Sequence, residues 1–82
     1  MSTMTLRAPY RFECGRVIGD AVLASVEFDA SECLFSEALL DVPEHAELAS
    51  ARWSDEGDGE YHCWEYDDDF GWRVCAVAEV AS

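Results

Sequence analysis

The chain has no lysine. Its only fixed positive side chains are five arginines, Arg7, Arg11, Arg16, Arg52 and Arg73, against eighteen acids, for a net charge of −13. With so little positive charge, direct binding to nucleic acid or to an anionic membrane is not expected, because both are polyanions. No stretch approaches the roughly 20 apolar residues that span a bilayer. No apolar run follows the arginines of residues 1–16, as a secretory leader would require. A soluble cytoplasmic protein is therefore the expectation. There are no repeats and no low-complexity linker, so residues 1–82 read as a single domain. The cysteines, Cys14, Cys33, Cys63 and Cys75, form no CxxC pair. That spacing argues against a zinc framework and for reduced thiols packed as small hydrophobes.

What is present suffices for a folded core. Half of the residues are hydrophobic and ten are aromatic. A chain this short buries about 60–65% of its unfolded surface, so the core is modest. Residues 6–14 read as a first strand or extended segment, which Pro9 would place at an edge because it cannot donate to a ladder. Residues 21–28 alternate, with Val22, Ala24, Val26 and Phe28 on one side; a helix over Val17–Val26 also fits. From Ser31 the period lengthens: Leu34, Phe35, Ala38, Leu39 and Val42 predict an amphipathic helix, with Ser31 as N-cap and Pro43 either ending it or beginning a short second turn.

Three strand-like runs follow, at 47–54, 60–66 and 72–80, joined by turn-rich DEGDG and DDDFG. Centring the second hairpin on Asp69 sets Glu65 against Arg73, Cys63 against Cys75 and Tyr61 against Val77. On its reverse face Tyr66 meets Trp72 and Trp64 meets Val74; such pairs favour that register. Centring the first on Gly57 sets Trp53 against Tyr61 and Ala51 against Cys63. The face holding Trp53, Tyr61, Val77, Ala51, Cys63 and Cys75, or its equally apolar reverse, is expected against the helix. The predicted fold class is α+β: a C-terminal three-stranded antiparallel meander, one main amphipathic helix and one or two N-terminal strands.

No motif speaks for catalysis. His62 and Cys63 are neighbours on a predicted strand, so their side chains point to opposite faces. His45 has no obvious cysteine partner. A reactive thiolate needs positive surroundings, and this chain offers the reverse. Asp67, Asp68 and Asp69 lack the alternating acids closed by a distal Glu of an EF-hand loop. No catalytic residue, metal or cofactor is expected.

The acids carry the functional expectation. Residues 17–51 hold eight and no base, and residues 55–69 hold eight more and no base. Carboxylates on alternate strand positions, or three and four apart on a helix, repeat at a spacing comparable to that of backbone phosphates. In size and charge the chain is similar to small phage-encoded anti-defence proteins, some anti-CRISPR proteins among them; no sequence motif carries that likeness. It implies a non-enzymatic inhibitor that mimics nucleic acid and occupies a basic site on a nucleic-acid-binding protein. The partner-binding candidates are Asp55, Glu56, Asp58, Glu60, Asp67, Asp68 and Asp69 on the loops, with Glu37, Asp41, Glu44 and Glu47 near the helix. The alternative is a small structural or oligomerising protein of a high-salt or Lys-poor host, for which a homodimer is one assembly. Trp64, Tyr66 and Trp72 share a predicted face that one helix does not fully cover. An exposed aromatic rimmed by acids would make an interaction hot spot.

Overall fold

The computed structural model describes residues 1–81. Five strands form one sheet: β1 (Ser2–Arg11), β2 (Val17–Phe28), β3 (Arg52–Gly57), β4 (Glu60–Asp67) and β5 (Gly71–Ala81). Their order across the sheet is β2-β1-β5-β4-β3, and every neighbouring pair is antiparallel. Between β2 and β3 lies one turn of α-helix, α1 (Phe35–Ala38), continued by 3-10 segments at Leu39–Asp41 and Pro43–Ser50.

This overturns the α+β reading. The chain is mostly antiparallel sheet, 58% strand, with a short helix of 7 residues, α1 and the 3-10 segment Leu39–Asp41 together, in place of a main amphipathic helix. Nor do the C-terminal strands stand as a unit of their own, because β1 joins the sheet beside β5. The helix fails at both ends. Ser31 does not cap it: the Ser31 hydroxyl and N–H both donate to the Asp29 carboxylate, at 2.6 and 3.0 Å. Those bonds hold the Asp29 carboxyl below the usual carboxylate range. The N-cap is Leu34, without a side-chain bond, which forgoes about 1 kcal/mol of helix stability. At the other end Val42 turns extended before Pro43. The strand expected at 47–54 is likewise corrected. Pro43–Ser50, rich in Ala, Glu and Leu, is helical, with Pro43 at its first turn, and β3 begins only at Arg52.

Alternation along the strands assigns the faces. Met4 and Leu6 of β1, Ala24, Val26 and Phe28 of β2, Cys63 of β4 and Ala76 and Ala78 of β5 point to one face, where Ala38 and Leu39 close the core. Phe35 stacks on Tyr61 at 4.2 Å and meets the edge of Trp53 at 5.1 Å. The Trp53 indole donates to the Leu48 carbonyl at 2.8 Å and so ties β3 to the helical layer. The opposite face carries no such layer.

Several registers differ from expectation. In the β3–β4 hairpin Trp53 faces Cys63 and Asp55 faces Tyr61, two residues from the predicted match. Asp58 and Gly59, with φ of 53° and 78°, form the turn. Paired positive φ is what a two-residue type I′ turn needs, and Asp-Gly is its sequence signal. An even shift leaves each side chain on its predicted face. In the β4–β5 hairpin Glu65 faces Arg73, Tyr66 faces Trp72 and Trp64 faces Val74, as predicted. A bulge then intervenes: Cys63 faces Ala76, and Tyr61 faces Ala78. Val77 is thereby set on the bare face, not with Tyr61. Cys75 is the extra residue, and its thiol still reaches Cys63.

Pro9 is not on an edge strand, since β1 lies between β2 and β5. Ladder pairing with β5 ends at Arg7, however, so Pro9 costs no bond there. Two register slips in β2 flip Val22 to the face of Arg7, where it is exposed. They also curl β2 over the bare face. A Cβ at Gly19 would lie 2.7 Å from Arg7 Cδ and 3.4 Å from Val77 Cγ1. That close approach explains how Val77 is fully buried on a face that no helix covers.

Candidate functional site: the bare face of the sheet

One half of the bare face is acidic. Glu60 of β4 stands opposite Glu79 of β5, and Glu56 of β3 lies on the same side. Like charges in facing positions destabilise a sheet. One fixed cation, Arg7, offsets them, and the His62 imidazole lies between two of them. His62 is buried between the outer strands, with Nε2 2.8 Å from Glu60 Oε2 and Nδ1 3.8 Å from Glu56 Oε1. Arg7 pairs with Glu79 and donates through Nη1 to the Asp20 carbonyl at 3.0 Å.

The other half is aromatic. Tyr66 and Trp72 meet edge to face at 5.5 Å and stay 62% and 51% exposed. The Arg52 guanidinium sits 4.9 Å from the Trp72 ring centre. The Trp64 indole donates to Ser54 Oγ at 2.8 Å, and the Ser54 hydroxyl donates to Glu56 Oε2 at 2.7 Å. That chain joins the two halves and fixes the Glu56 carboxylate. Trp64, Tyr66 and Trp72 thus share one uncovered face.

The eleven nominated acids fall into three places. Asp55, Glu56, Asp58 and Glu60 gather at the β3–β4 turn, where the Val80 N–H donates to the Gly59 carbonyl at 2.8 Å. Asp67, Asp68 and Asp69 occupy the β4–β5 turn at the far end of β4, roughly 23 Å away at about 3.3 Å per residue. Glu37, Asp41, Glu44 and Glu47 are exposed on the helical layer, across the sheet. Two of the acids shape turns: the Asp55 carboxylate accepts from the Gly57 N–H at 2.9 Å, and that of Asp67 from the Asp69 and Phe70 N–H at 2.8 and 3.3 Å.

Sequence reasoning missed Glu79, which stands alone in the C-terminal strand and looks peripheral. Carrying the hairpin register down to Glu60 would have found it. It also missed Arg7, whose role depends on β1 docking beside β5. Burial pushes the Cys63 thiol up to about 12, and the Cys75 thiol and the Glu65 charge add to that shift. All four cysteines are free. Among the described residues no group of three or more His, Cys, Asp or Glu is placed to hold a metal ion, and no helix is long and apolar enough to cross a membrane.

No protein-family model, curated protein or solved structure matches the chain.

Proposed function

We propose that this chain is a non-enzymatic binding protein that lays the acidic half of its bare face on a basic, nucleic-acid-binding surface of a protein partner. In this reading it is a cytoplasmic inhibitor of the phage anti-defence type. The observation that carries the reading is the row Glu56, Glu60 and Glu79, held on three adjacent strands with two of its members face to face. Adjacent strands repeat at about 4.8 Å, and one phosphate falls every ~3.4 Å of axis along a DNA strand. The Ser54 and His62 bonds order these carboxylates before any partner arrives. Ordering them in advance lowers the entropy cost of association, and charge complementarity speeds it.

Competition tests it. A partner recovered from host lysate is titrated with DNA or RNA, with and without the protein. Displacement that falls about tenfold or more in the Glu56→Lys/Glu60→Lys variant, and little in Glu13→Lys, is the expected result. Simultaneous binding of nucleic acid and this protein would overturn it.

A second reading has its own observation. Glu37, Asp41, Glu44 and Glu47 coat the helical layer on the far side of the molecule, as in a structural or oligomerising protein whose acids answer to a high-salt or Lys-poor host. Equal loss of binding on reversing either set would favour that reading.

A further inference from the structure

We infer that β5 accepts an extended peptide carrying an acidic side chain, which adds as a strand in the notch where β1 and β5 part. The two strands pair only from Thr3–Ala81 to Arg7–Val77. Beyond that point β1 pairs with β2 alone and β5 with β4 alone. Two strand edges therefore diverge from a common origin, each with backbone groups directed into the gap. The gap holds a cavity of about 510 Å³, with Pro9, Arg11 and Val17 on one wall and Trp72, Arg73 and Val74 on the other; Glu65, the partner of Arg73, also lines it. That size is within the range of about 300–1,000 Å³ for ligand sites.

The other edges of the sheet are protected. The outer edge of β3 carries Asp55 and Glu56, and that of β2 is broken by two register slips; both devices discourage strand addition. In the notch, β1 presents Pro9, which lacks an N–H. The β5 segment Gly71–Val74 has neither proline nor acid, and the bulge at Cys75 ends it. A strand added there would have about four residues, alternating toward the Trp72 and Val74 wall.

Charge sets the occupant's chemistry. Arg73 is held by Glu65 at 3.1 Å, whereas Arg11 has no ion pair among the described residues. In a chain of net charge −13, an arginine left without a carboxylate at the mouth of a cavity calls for one from the occupant. None of this rests on the acidic half of the bare face.

The test is a displayed library of random peptides of about seven residues, selected against the intact chain. Enriched sequences should share one Asp or Glu amid alternating apolar residues. They should lose about tenfold or more in affinity against Arg11→Glu, and also against Val17→Trp, which fills the notch, but little against Arg16→Glu. Thermal melts confirm that each variant folds. Bound peptide should slow amide exchange at Trp72–Val74. An unenriched library, peptides indifferent to both notch variants, or protection confined to other strands would each overturn the inference.

Discussion

The two faces of this sheet obey opposite rules. On the covered face the rows are apolar from β2 to β4, and Leu39, Phe35 and Trp53 seal them with no buried polar side chain left unpaired among the described residues. On the bare face the rows are mixed: carboxylates against carboxylates, one hydrogen-bonded to a histidine and one paired with an arginine, then exposed aromatics. A protein that needed only to fold would gain by separating Glu60 from Glu79 and by covering Trp72. Stability resides on the first face, and the second carries arrangements that stability does not explain.

The largest expected effect follows directly. Leu39 is fully buried under the sheet, so Leu39→Ala should cost about 2–5 kcal/mol. Total stability at this length is on the order of 4–12 kcal/mol, so urea unfolding should show the midpoint falling steeply. Trp72→Ala on the bare face removes an edge-to-face contact and a cation–π contact, and should cost about 1 kcal/mol. Equal costs would mean that the bare face is a second core.

How far these faces could be read from sequence depends on the element. The β4–β5 hairpin was legible because cross-strand chemistry is local: Glu65 with Arg73 and Tyr66 with Trp72 need only one turn to meet. The helix was misread because its period is real but short, and Asp29 captures the hydroxyl that should have capped it. The five-stranded sheet was not legible. It requires β1 to dock beside β5, more than sixty residues away in sequence, and no local pattern announces such a pairing. The eleven acids were recognised as acids, but their division among two turns and a helical layer is a product of topology alone.

The next effect tests the rigidity of the acidic end. Gly59 has φ of 78°, and a Cβ there would come within 2.5 Å of the Val80 carbonyl oxygen. Gly59→Ala should cost about 1–3 kcal/mol and loosen the turn that carries Asp58. Loss of the Val80 amide's protection in hydrogen exchange would report it. Unchanged protection would show that the turn does not depend on this backbone.

The cysteines compare the faces chemically. Cys63 is buried in the core with its thiol raised to about 12, so it stays neutral at ordinary pH. A thiol pKa raised on folding leaves stability intact below the unfolded value and erodes it as pH climbs toward the folded one. Stability should therefore decline above about pH 9, and Cys63→Ser should flatten that decline. With iodoacetamide at about pH 8, exposed Cys14 should be labelled without any opening of the fold and Cys63 only as fast as the protein opens. Mass spectrometry of the labelled peptides separates them. Rapid labelling of Cys63 would place it outside a closed core.

The smallest effect bears most on the bare face. Like charges repel, and salt screens exposed charges over about 10 Å at 0.1 M. Raising NaCl from about 0.05 to 0.5 M should lift the melting temperature by a few degrees, since about 1 kcal/mol moves a domain of this size by roughly 4–8 °C. Which acids cause the rise is the sharper question. Glu60 and Glu79 face one another across a ladder, whereas Glu44 and Glu47 stand on an exposed segment free to splay their side chains. Glu60→Gln keeps a hydrogen-bond acceptor for His62 while removing one charge of the facing pair. It should flatten the salt dependence more than Glu44→Gln/Glu47→Gln, although the latter removes twice the charge. The reverse order would mean that the acids act as a uniform shell, and the carboxylate row would lose its claim to be a site.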